Sequence, residues 1–443
     1  MTDFPISAEL INTLAKTVGM PTPGLSSIRE LANLVDKIEE KTGINFIRME
    51  MGVPGLPAAA VGIEAEIAAL KSGVASIYPD ITGIRPLKNE TSRFIKLFLN
   101  VDIDPEGCIP TVGSMMGAMV SFLVANRNDR TKEGTLFIDP GFPVQKQQVK
   151  MLGHDYNSFD VYKFRGKKLK EKLESYLKSG KISSLLFSNP NNPSWICLTE
   201  EELEIIGELA KKYDVIVIED LAYFGMDFRK DYLIPGRPPF QPTVSHYTDE
   251  YIILISSSKI FSYAGQRIGI MAISDQLFKR SYPDLLRYYS TDKFGHSAIF
   301  GALYGLSAGV THSVQYGLAA ILKEVNDGNY RYRDDVLEYG EKAREMKNMF
   351  VSNDFNIVYD KDLDEPLADG FYFTIAYPGM SGFQLIESLL CYGISAISLA
   401  TTGSERRDGL RACVSQVPRE QFGILEMRLK KFNEDHPIKR NNK

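Results

Sequence analysis

The middle of the chain alternates short apolar runs with stretches whose apolar residues recur at helical spacing. The runs are rich in β-branched and aliphatic side chains, and turn-forming or polar residues close each of them; they are residues 135–138, 185–187, 215–218 and 251–255. Short closed runs of this kind are typical of buried strands, which carry apolar side chains at successive positions. The pattern therefore predicts buried strands at these four places.

Amphipathic helical patterns lie between the runs. Thr199 and Glu202 have the spacing of a capping box, and apolar residues then recur on one helical face. A second apolar helical face follows Gly113, over residues 116–124. Strands that alternate with helices form right-handed crossovers, so we expect an α/β fold with a mostly parallel sheet covered on both faces.

The pattern changes after about residue 325. A charged helical stretch at 330–350 precedes strand-like residues 371–375, a helix at 383–391 and a strand-like segment at 410–414. We interpret this part as a smaller α+β domain, which the N-terminal segment joins. The predicted division is a small domain of residues 1–55 and 326–443 and a large domain of residues 56–325, as a length of 443 residues allows.

Composition and charge exclude several classes of protein. The net charge is −5 without a basic stripe, which argues against nucleic-acid binding. The four cysteines are far apart and the five histidines show no metal-ligand spacing, so we expect reduced thiols and no metal site. The longest nearly apolar stretch, residues 112–125, is shorter than the ~20 residues of a membrane span, and the N-terminus has no signal-peptide pattern. These features predict a cytoplasmic protein.

Ligands of open α/β sheets bind beyond the carboxyl ends of the strands, where this chain places several polar or aromatic residues. Ser114 and Met115 open a helix, and the N–H groups of a helix N-terminus favour a phosphate; an ordinary loop-to-helix junction is the alternative. Phe142 follows the first run and can stack on a flat ring, or pack in the core. Asn192, between two prolines, offers an amide donor to a phenolate oxygen, or belongs to a turn cluster.

Two further strand ends carry charged residues. Asp220 ends the third run; a buried carboxylate needs a partner, such as a protonated pyridinium, unless it caps a helix. Tyr223 follows three residues later and can donate to a ring oxygen. The fourth run ends in Ser256 and leads to Lys259, whose pKa desolvation and a nearby cation lower from ~10.4 toward the range of a nucleophilic amine. Ser256 and Arg267 can meet a phosphate. Taken alone, Lys259 and Arg267 are an ordinary surface lysine and arginine.

In this order and spacing the residues resemble the class I/II aminotransferases of pyridoxal-phosphate (PLP) fold type I. The most specific stretches are residues 188–193, Asp220 with Tyr223, and Ser256 with Lys259 followed by an arginine. The chain departs from the family at Ser194-Trp195, where Thr-Gly is usual, and at Phe142, where Tyr or Trp is more common. Trp195 is expected to crowd or reshape its loop, which affects the geometry of substrate binding.

The resemblance implies a large domain with a mostly parallel seven-stranded sheet and a smaller α+β domain. It also implies roles: Lys259 binds the cofactor as a Schiff base, Asp220 pairs with the pyridine nitrogen, and Phe142 stacks on the ring. Tyr223 and Asn192 contact the ring hydroxyl oxygen. The phosphate is held by Ser114, Met115, Ser256, Ser258 and Arg267.

For the substrate, the resemblance implies that Arg411 binds the α-carboxylate and that the Gly52 backbone lines the site. Tyr78 resembles the tyrosine that reaches the phosphate of a neighbouring subunit, which implies a homodimer with shared active sites.

The expected activity is therefore amino transfer between an L-amino acid and a 2-oxo acid by a ping-pong mechanism. A carbon–sulfur β-lyase of the same fold is the first alternative, because the same lysine and aspartate serve both reactions. A non-catalytic PLP-binding regulator is the second, although the cofactor fold is expected to begin by about residue 25, which leaves no room for a helix-turn-helix module. The sequence does not identify the substrate side chain.

Overall fold

The computed structural model describes residues 4–20, 22–132 and 134–438. The chain divides into two compact units. The larger comprises residues 56–191 and 197–336, and the smaller comprises residues 1–55, 192–196 and 337–443. The ends of the predicted small domain, residues 1–3 and 439–443, lie outside the described residues.

The helices of the described residues are, in chain order, α1 (Ala8–Thr17), α2 (Ile28–Thr42), α3 (Ala60–Lys71), α4 (Arg85–Leu99), α5 (Gly113–Ala125), α6 (Pro143–Met151), α7 (Lys168–Leu177), α8 (Glu200–Tyr213), α9 (Ser257–Ile260), α10 (Asp275–Lys279), α11 (Phe294–His296), α12 (Tyr304–Ser307), α13 (His312–Asn326), α14 (Tyr332–Ser352), α15 (Gly382–Cys391) and α16 (Phe422–Asp435). The strands are β1 (Ile47–Arg48), β2 (Cys108–Thr111), β3 (Gly134–Asp139), β4 (Tyr156–Asp160), β5 (Ile182–Ser188), β6 (Ile216–Leu221), β7 (Tyr251–Ser256), β8 (Gly269–Ile273), β9 (Asn356–Ile357), β10 (Lys361–Asp362), β11 (Glu365–Pro366), β12 (Tyr372–Ala376), β13 (Ile394–Ser395), β14 (Ile397–Ser398) and β15 (Leu410–Cys413).

The larger unit is built on a seven-stranded sheet with the order β2-β8-β7-β6-β5-β3-β4. Neighbours from β4 to β7 pair in parallel, and β8 is antiparallel to both β7 and β2. The mostly parallel seven-stranded sheet is therefore confirmed, and the four predicted runs form β3, β5, β6 and β7. The capping box is present at the start of α8, where Thr199 and Glu202 each accept from the other's N–H.

The core of this unit lies along the sheet. β3, β6 and β7 are buried at every position. α5 packs on the sheet with side chains such as Val120 and Val124, against Ile218, Leu254 and Met271. Burial on both faces explains why these strands appear in the sequence as continuous apolar runs rather than as alternating ones.

The sheet brings one set of strand ends together. β2, β3, β5, β6 and β7 all run in one direction, so their carboxyl ends lie at the same edge. The antiparallel β8 begins at that edge, and its first residue, Gly269, pairs with Thr111 of β2 and with Ser256 of β7. α5 starts just after β2 and α9 starts just after β7, so the N-termini of both helices lie at this edge as well.

The smaller unit contains a four-stranded antiparallel sheet with the order β14-β15-β12-β9. β1, from the N-terminal part of the chain, pairs in parallel with β13 from the C-terminal part. Rings of Phe355, Tyr377 and Phe432 pack together within 5.5 Å between centroids and form part of its core. No helix among the described residues combines the length and the apolar character that crossing a membrane requires.

Candidate active site

The predicted site residues fall into two groups, one in each compact unit. Ser114, Met115, Phe142, Asp220, Tyr223, Ser256, Ser258, Lys259, Arg267 and Tyr78 belong to the larger unit. Gly52, Asn192 and Arg411 belong to the smaller unit. Each group is described in its own unit.

In the larger unit an anion cradle forms around the start of α5. The helix begins at Gly113, and its first turn carries no acidic residue. A side chain at Gly113 would place its Cβ 2.6 Å from the Arg267 Nη2 atom, which shows how closely the guanidinium approaches the helix N-terminus. Exposed N–H groups, the helix dipole and an arginine together favour a phosphate.

Two glycines make this cradle possible. Gly113 has a φ of +68°, a conformation that side chains disfavour, and it leaves room for Arg267. At Gly269 a Cβ would lie 2.8 Å from the backbone nitrogen of Ser114. Since Gly269 pairs with Ser256, the strand register brings the start of α5 beside the end of β7.

Ser256 and Ser258 are buried, Ser114 is half-buried and Arg267 is exposed. Ser256 caps α9, where its hydroxyl accepts from the Ser258 N–H at 3.3 Å. Arg267 donates from Nη1 to the carbonyl of Ala264 at 2.9 Å. The half-buried Met115 accepts at its carbonyl from Gln148 Nε2 at 2.9 Å, which fixes the first turn of α5. The structure thus brings Ser114, Ser256 and Arg267 together.

Asp220 lies at the carboxyl end of β6 and is only 7% exposed. Its Oδ2 atom accepts from Gln145 Nε2 at 2.8 Å, and its Oδ1 atom accepts from the Ala222 N–H at 3.1 Å. No lysine, arginine or histidine of the described residues forms an ion pair with it. Burial raises the pKa of Asp220 from 3.8 to about 6, and the two hydrogen bonds oppose that rise. A cationic partner stabilises such a carboxylate in its ionised form.

The remaining predicted residues of the larger unit lie on nearby elements, with one exception. Lys259 is half-buried in α9, and Tyr223 is buried in the turn after β6. Phe142 is the half-buried N-cap of α6, three residues before Gln145. Tyr78 is 90% exposed and is not part of the cradle.

In the smaller unit Arg411, on β15, is 1% exposed. Its Nη2 atom donates to the Glu50 carbonyl at 2.5 Å, and its Nη1 atom lies 3.4 Å from Asn192 Oδ1. Its Nε atom is buried and has no hydrogen-bond partner among the described residues, and none of their carboxylates pairs with it. A buried guanidinium with unused donors is suited to bind a carboxylate.

Two neighbours hold this arginine in place. The guanidinium lies 4.6 Å from the centre of the Tyr372 ring, within the range of a cation–π contact. The Glu50 carboxylate, itself fully buried, accepts from Arg48 Nε at 2.9 Å and from the Ser395 hydroxyl at 2.6 Å. The carbonyl that Arg411 contacts therefore belongs to a residue that is fixed by its own side chain.

Gly52 and Trp195 both lie next to Tyr372. A Cβ at Gly52 would overlap the Tyr372 hydroxyl, so only glycine fits there. Trp195 has a φ of +62° and is 1% exposed, and its ring lies 6.2 Å from that of Tyr372. The indole is accommodated in the interior of the smaller unit.

Several residues of the site were not predicted. Gln145, the donor to Asp220, lies three residues after Phe142 in the same helical segment. Its spacing from Phe142 is the sequence feature from which it could have been predicted. Gly113 directly precedes Ser114, and Gly269 lies two residues after Arg267; both neighbours are predicted phosphate contacts. Tyr372 and Glu50 carry no signal of their own in a single sequence.

Comparison with known proteins gives one family. Residues 45–362 match the sequence model of aminotransferase class I and II. The chain is 26% identical over 346 residues to a probable aspartate aminotransferase of Methanocaldococcus jannaschii, covering 73% of this chain and 85% of that protein. It is 24% identical over 416 residues to a putative aminotransferase of Bacillus subtilis, covering 92% and 95%.

Solved structures share the fold. The aspartate aminotransferase from Thermotoga maritima superposes with a TM-score of 0.73 at 18% identity, covering 93% of this chain and 98% of that one. An alanine aminotransferase from Pyrococcus furiosus gives a TM-score of 0.73 at 19% identity, covering 92% and 97%. The predicted PLP fold type I is therefore confirmed.

Proposed function

Because this chain belongs to the class I and II aminotransferase family, whose members depend on pyridoxal phosphate, we propose that it moves an amino group from an L-amino acid to a 2-oxo acid with Lys259 as its catalytic base. The observation that carries the assignment of roles is the environment of Asp220. This carboxylate is buried, its pKa is raised, and the described residues offer it no cation. A protonated pyridine nitrogen supplies the missing charge.

The residues present fit the cofactor at both of its charged ends. The raised pKa of Asp220 falls when a cation lies beside the carboxylate, so Asp220 keeps the ring nitrogen protonated. The cradle of Ser114, Ser256 and Arg267, with Gly113 at its base, suits the phosphate. Phe142 is proposed to stack on the ring, and Tyr223 and Asn192 to contact its hydroxyl oxygen.

The chain's own residues then carry out the proton transfers. When bound, the cofactor accepts the electron pair that remains when the substrate Cα–H bond breaks. Lys259 would hold the cofactor covalently through its Nζ atom in the resting enzyme. Its Nζ atom, once released, would act as the base that takes the proton from the substrate Cα atom and then as the acid that returns it. Arg411 holds the α-carboxylate, since no described residue accepts a hydrogen bond from its Nε atom. A 2-oxo acid reverses the sequence in the second half of a ping-pong cycle.

We also propose that the enzyme is a cytoplasmic homodimer. α3 carries three exposed apolar residues, Ile63, Ile67 and Leu70, on one helical face, and the exposed Ile77 and Tyr78 follow it. Exposed apolar patches of this kind support an interface between subunits. None of the four cysteines forms a disulfide, which supports a reducing compartment.

Subunit exchange tests the shared site. If Tyr78 reaches the partner's cofactor phosphate, Lys259→Ala and Tyr78→Ala proteins each lose activity. Mixing them in equal amounts is expected to restore about a quarter of the wild-type rate, because half of the dimers then hold one intact site. No recovery after verified exchange, or a monomeric mass in sedimentation, contradicts the proposal.

The role of Lys259 is tested by trapping. Borohydride reduction of the holoenzyme is expected to fix the cofactor on the peptide that contains Lys259, as mass spectrometry of a digest detects. Label on another lysine contradicts the assignment.

The β-lyase alternative is tested by incubation with cystathionine in the absence of a 2-oxo acid, which is expected to release no ammonia. Sustained ammonia release favours the β-lyase.

A further inference from the structure

We infer that Trp195 is a positioning residue for Arg411, because it fixes the Tyr372 ring on which the guanidinium lies. The inference rests on the proposed role of Arg411 as the site for the substrate α-carboxylate. All of its contacts lie within the smaller unit. It assigns a role to the chain's only tryptophan, at a position where the backbone is left-handed.

The first link is the contact between Arg411 and Tyr372. The guanidinium carbon is 4.6 Å from the ring centre. Among the described residues, Glu50 and Asn192 are the hydrogen-bond partners of the Nη2 and Nη1 atoms, and the Nε atom has none. The guanidinium is planar, so its contact with the Tyr372 ring sets the direction in which the Nε–H group points. A tilt of the ring therefore redirects the donor that is available to a carboxylate.

The second link is the contact between Tyr372 and Trp195. The two rings meet edge to face, with centroids 6.2 Å apart and planes at 64°. On another side, the Tyr372 hydroxyl lies so close to Gly52 that a Cβ there would overlap it. Trp195, Gly52 and Arg411 thus restrict the ring from three sides.

The third link is the fixed position of Trp195 itself. A Cβ at Gly370 would overlap the indole ring, so Gly370 and Trp195 are fitted to each other. The φ of +62° disfavours a side chain at this position, yet a large one is present. Asn192, in the same short segment, contacts Arg411 directly, so the segment reaches the arginine both through Asn192 and through Tyr372.

The space around the indole explains why its removal matters. A cavity of about 90 Å³ lies beside it, lined by Trp195, Tyr372, Tyr359 and Asp360 among others. Deleting the indole joins its volume to this cavity and gives Tyr372 room to tilt. A phenylalanine at position 195 retains an aromatic edge against Tyr372 and leaves a smaller gap.

The test compares Trp195→Gly, Trp195→Phe and the wild type in the first half-reaction, followed by cofactor absorbance. Each is titrated with the best L-amino acid donor and with the amine that lacks its α-carboxylate. Trp195→Gly is expected to raise the half-saturating concentration of the amino acid about tenfold, with the limiting rate within about threefold, because a contact made equally in ground and transition state affects binding alone. The amine is expected to be unaffected, and Trp195→Phe to recover most of the loss.

Two further variants keep the test decisive if Trp195→Gly does not fold. Gly370→Ala retains the tryptophan and displaces its ring, so it is expected to raise the half-saturating concentration of the amino acid in the same way. Arg411→Leu removes the anchor itself and is expected to abolish the preference for the amino acid over the amine.

A fluorescence titration gives a readout that is independent of turnover. Since Trp195 is the only tryptophan, its emission reports on this site alone. Addition to the wild-type holoenzyme of the carboxylic acid that corresponds to the best donor without its amino group is expected to change the emission with a midpoint equal to its inhibition constant. The change is expected to be absent in Arg411→Leu.

The outcomes separate the inference from the proposed function. If Arg411→Leu leaves the acid-to-amine preference intact, the carboxylate role of Arg411 is wrong. If Arg411→Leu abolishes that preference while the Trp195 and Gly370 variants leave the half-saturating concentration unchanged, only the inference is overturned. Equal weakening of acid and amine in the Trp195 variants also overturns it, since that result indicates a general loss of structure.

Discussion

Replacing Asp220 by asparagine is expected to stabilise the cofactor-free protein at neutral pH while it disables the enzyme. The carboxylate is buried at the end of β6 with two hydrogen-bond donors and no cation among the described residues. Asparagine has nearly the same shape, and its oxygen can still accept from the Ala222 N–H. The Gln145 amide, once rotated, accepts from the new amide group.

The magnitude follows from the pKa of Asp220, which burial raises from 3.8 to about 6. A rise of this size corresponds to roughly 3 kcal/mol that opposes ionisation in the folded state. Between about pH 4 and pH 6 the folded protein binds more protons than the unfolded chain, so its free energy of unfolding falls as the pH rises. Asparagine does not ionise, so the variant does not lose this part of its free energy of unfolding. The variant is therefore expected to match the wild type near pH 4 and to exceed it by up to roughly 3 kcal/mol above pH 6.

The assay is urea unfolding of both cofactor-free proteins at about pH 4 and about pH 8, followed by circular dichroism. In the holoenzyme the order is expected to reverse, because the wild type gains a pyridinium partner that the variant cannot use. The first half-reaction of the variant is expected to slow by about a hundredfold or more.

Glu219 provides the matched control. It precedes Asp220 on β6, is fully buried and has its pKa raised by burial to about 7, but it accepts from Thr243 and from the Val244 N–H on the other face of the sheet. Glu219→Gln is expected to show the same pH-dependent stabilisation with an unchanged half-reaction. An Asp220→Asn effect that is independent of pH, or a half-reaction at the wild-type rate, refutes the reasoning.

Three further changes have defined outcomes. Gly113→Ala introduces a Cβ at a φ of +68° and 2.6 Å from Arg267 Nη2, so the dissociation constant for pyridoxal phosphate is expected to rise about tenfold or more in an absorbance titration; unchanged affinity contradicts the cradle. Gln145→Leu removes the donor to Asp220 Oδ2 and raises the pKa of that carboxyl further, so the acidic limb of the pH–rate profile is expected to move to higher pH; a profile that does not move excludes the role of Gln145. Thr199→Ala removes the capping box of α8 and is expected to lower the free energy of unfolding by about 1 kcal/mol in urea, without a change in kcat or KM.

The predictable parts of the fold are the elements whose burial produces a recognisable local pattern of apolar residues in the sequence. β3, β5, β6 and β7 are covered on both faces, so each appears as an apolar run, and α8 begins with its own capping box. β2, β4 and β8 were not predicted. β2 contains Pro110, and β4 lies at the sheet edge with only its last two residues buried, so neither has the pattern of a central strand.

The location of the candidate site residues was predictable where the sheet topology fixes it. Asp220 and Ser256 lie at the ends of β6 and β7, and Ser114 follows β2; strands that run in one direction place their carboxyl ends at one edge. The contacts of Gln145 with Asp220 and of Arg411 with Glu50 join residues that are distant in the chain. A single sequence does not record such pairings, because they depend on tertiary packing rather than on local pattern.

The account is tested most directly by the absorption spectrum of the holoenzyme during titration with a panel of L-amino acids, for the wild type and for Lys259→Ala. In the wild type at least one donor is expected to convert the cofactor to its amino form, and a 2-oxo acid to restore the original band. Lys259→Ala is expected to slow this conversion by about a thousandfold, in the range of a lost general base. A cofactor band that no amino acid converts, or a Lys259→Ala protein that reacts at the wild-type rate, would contradict the account.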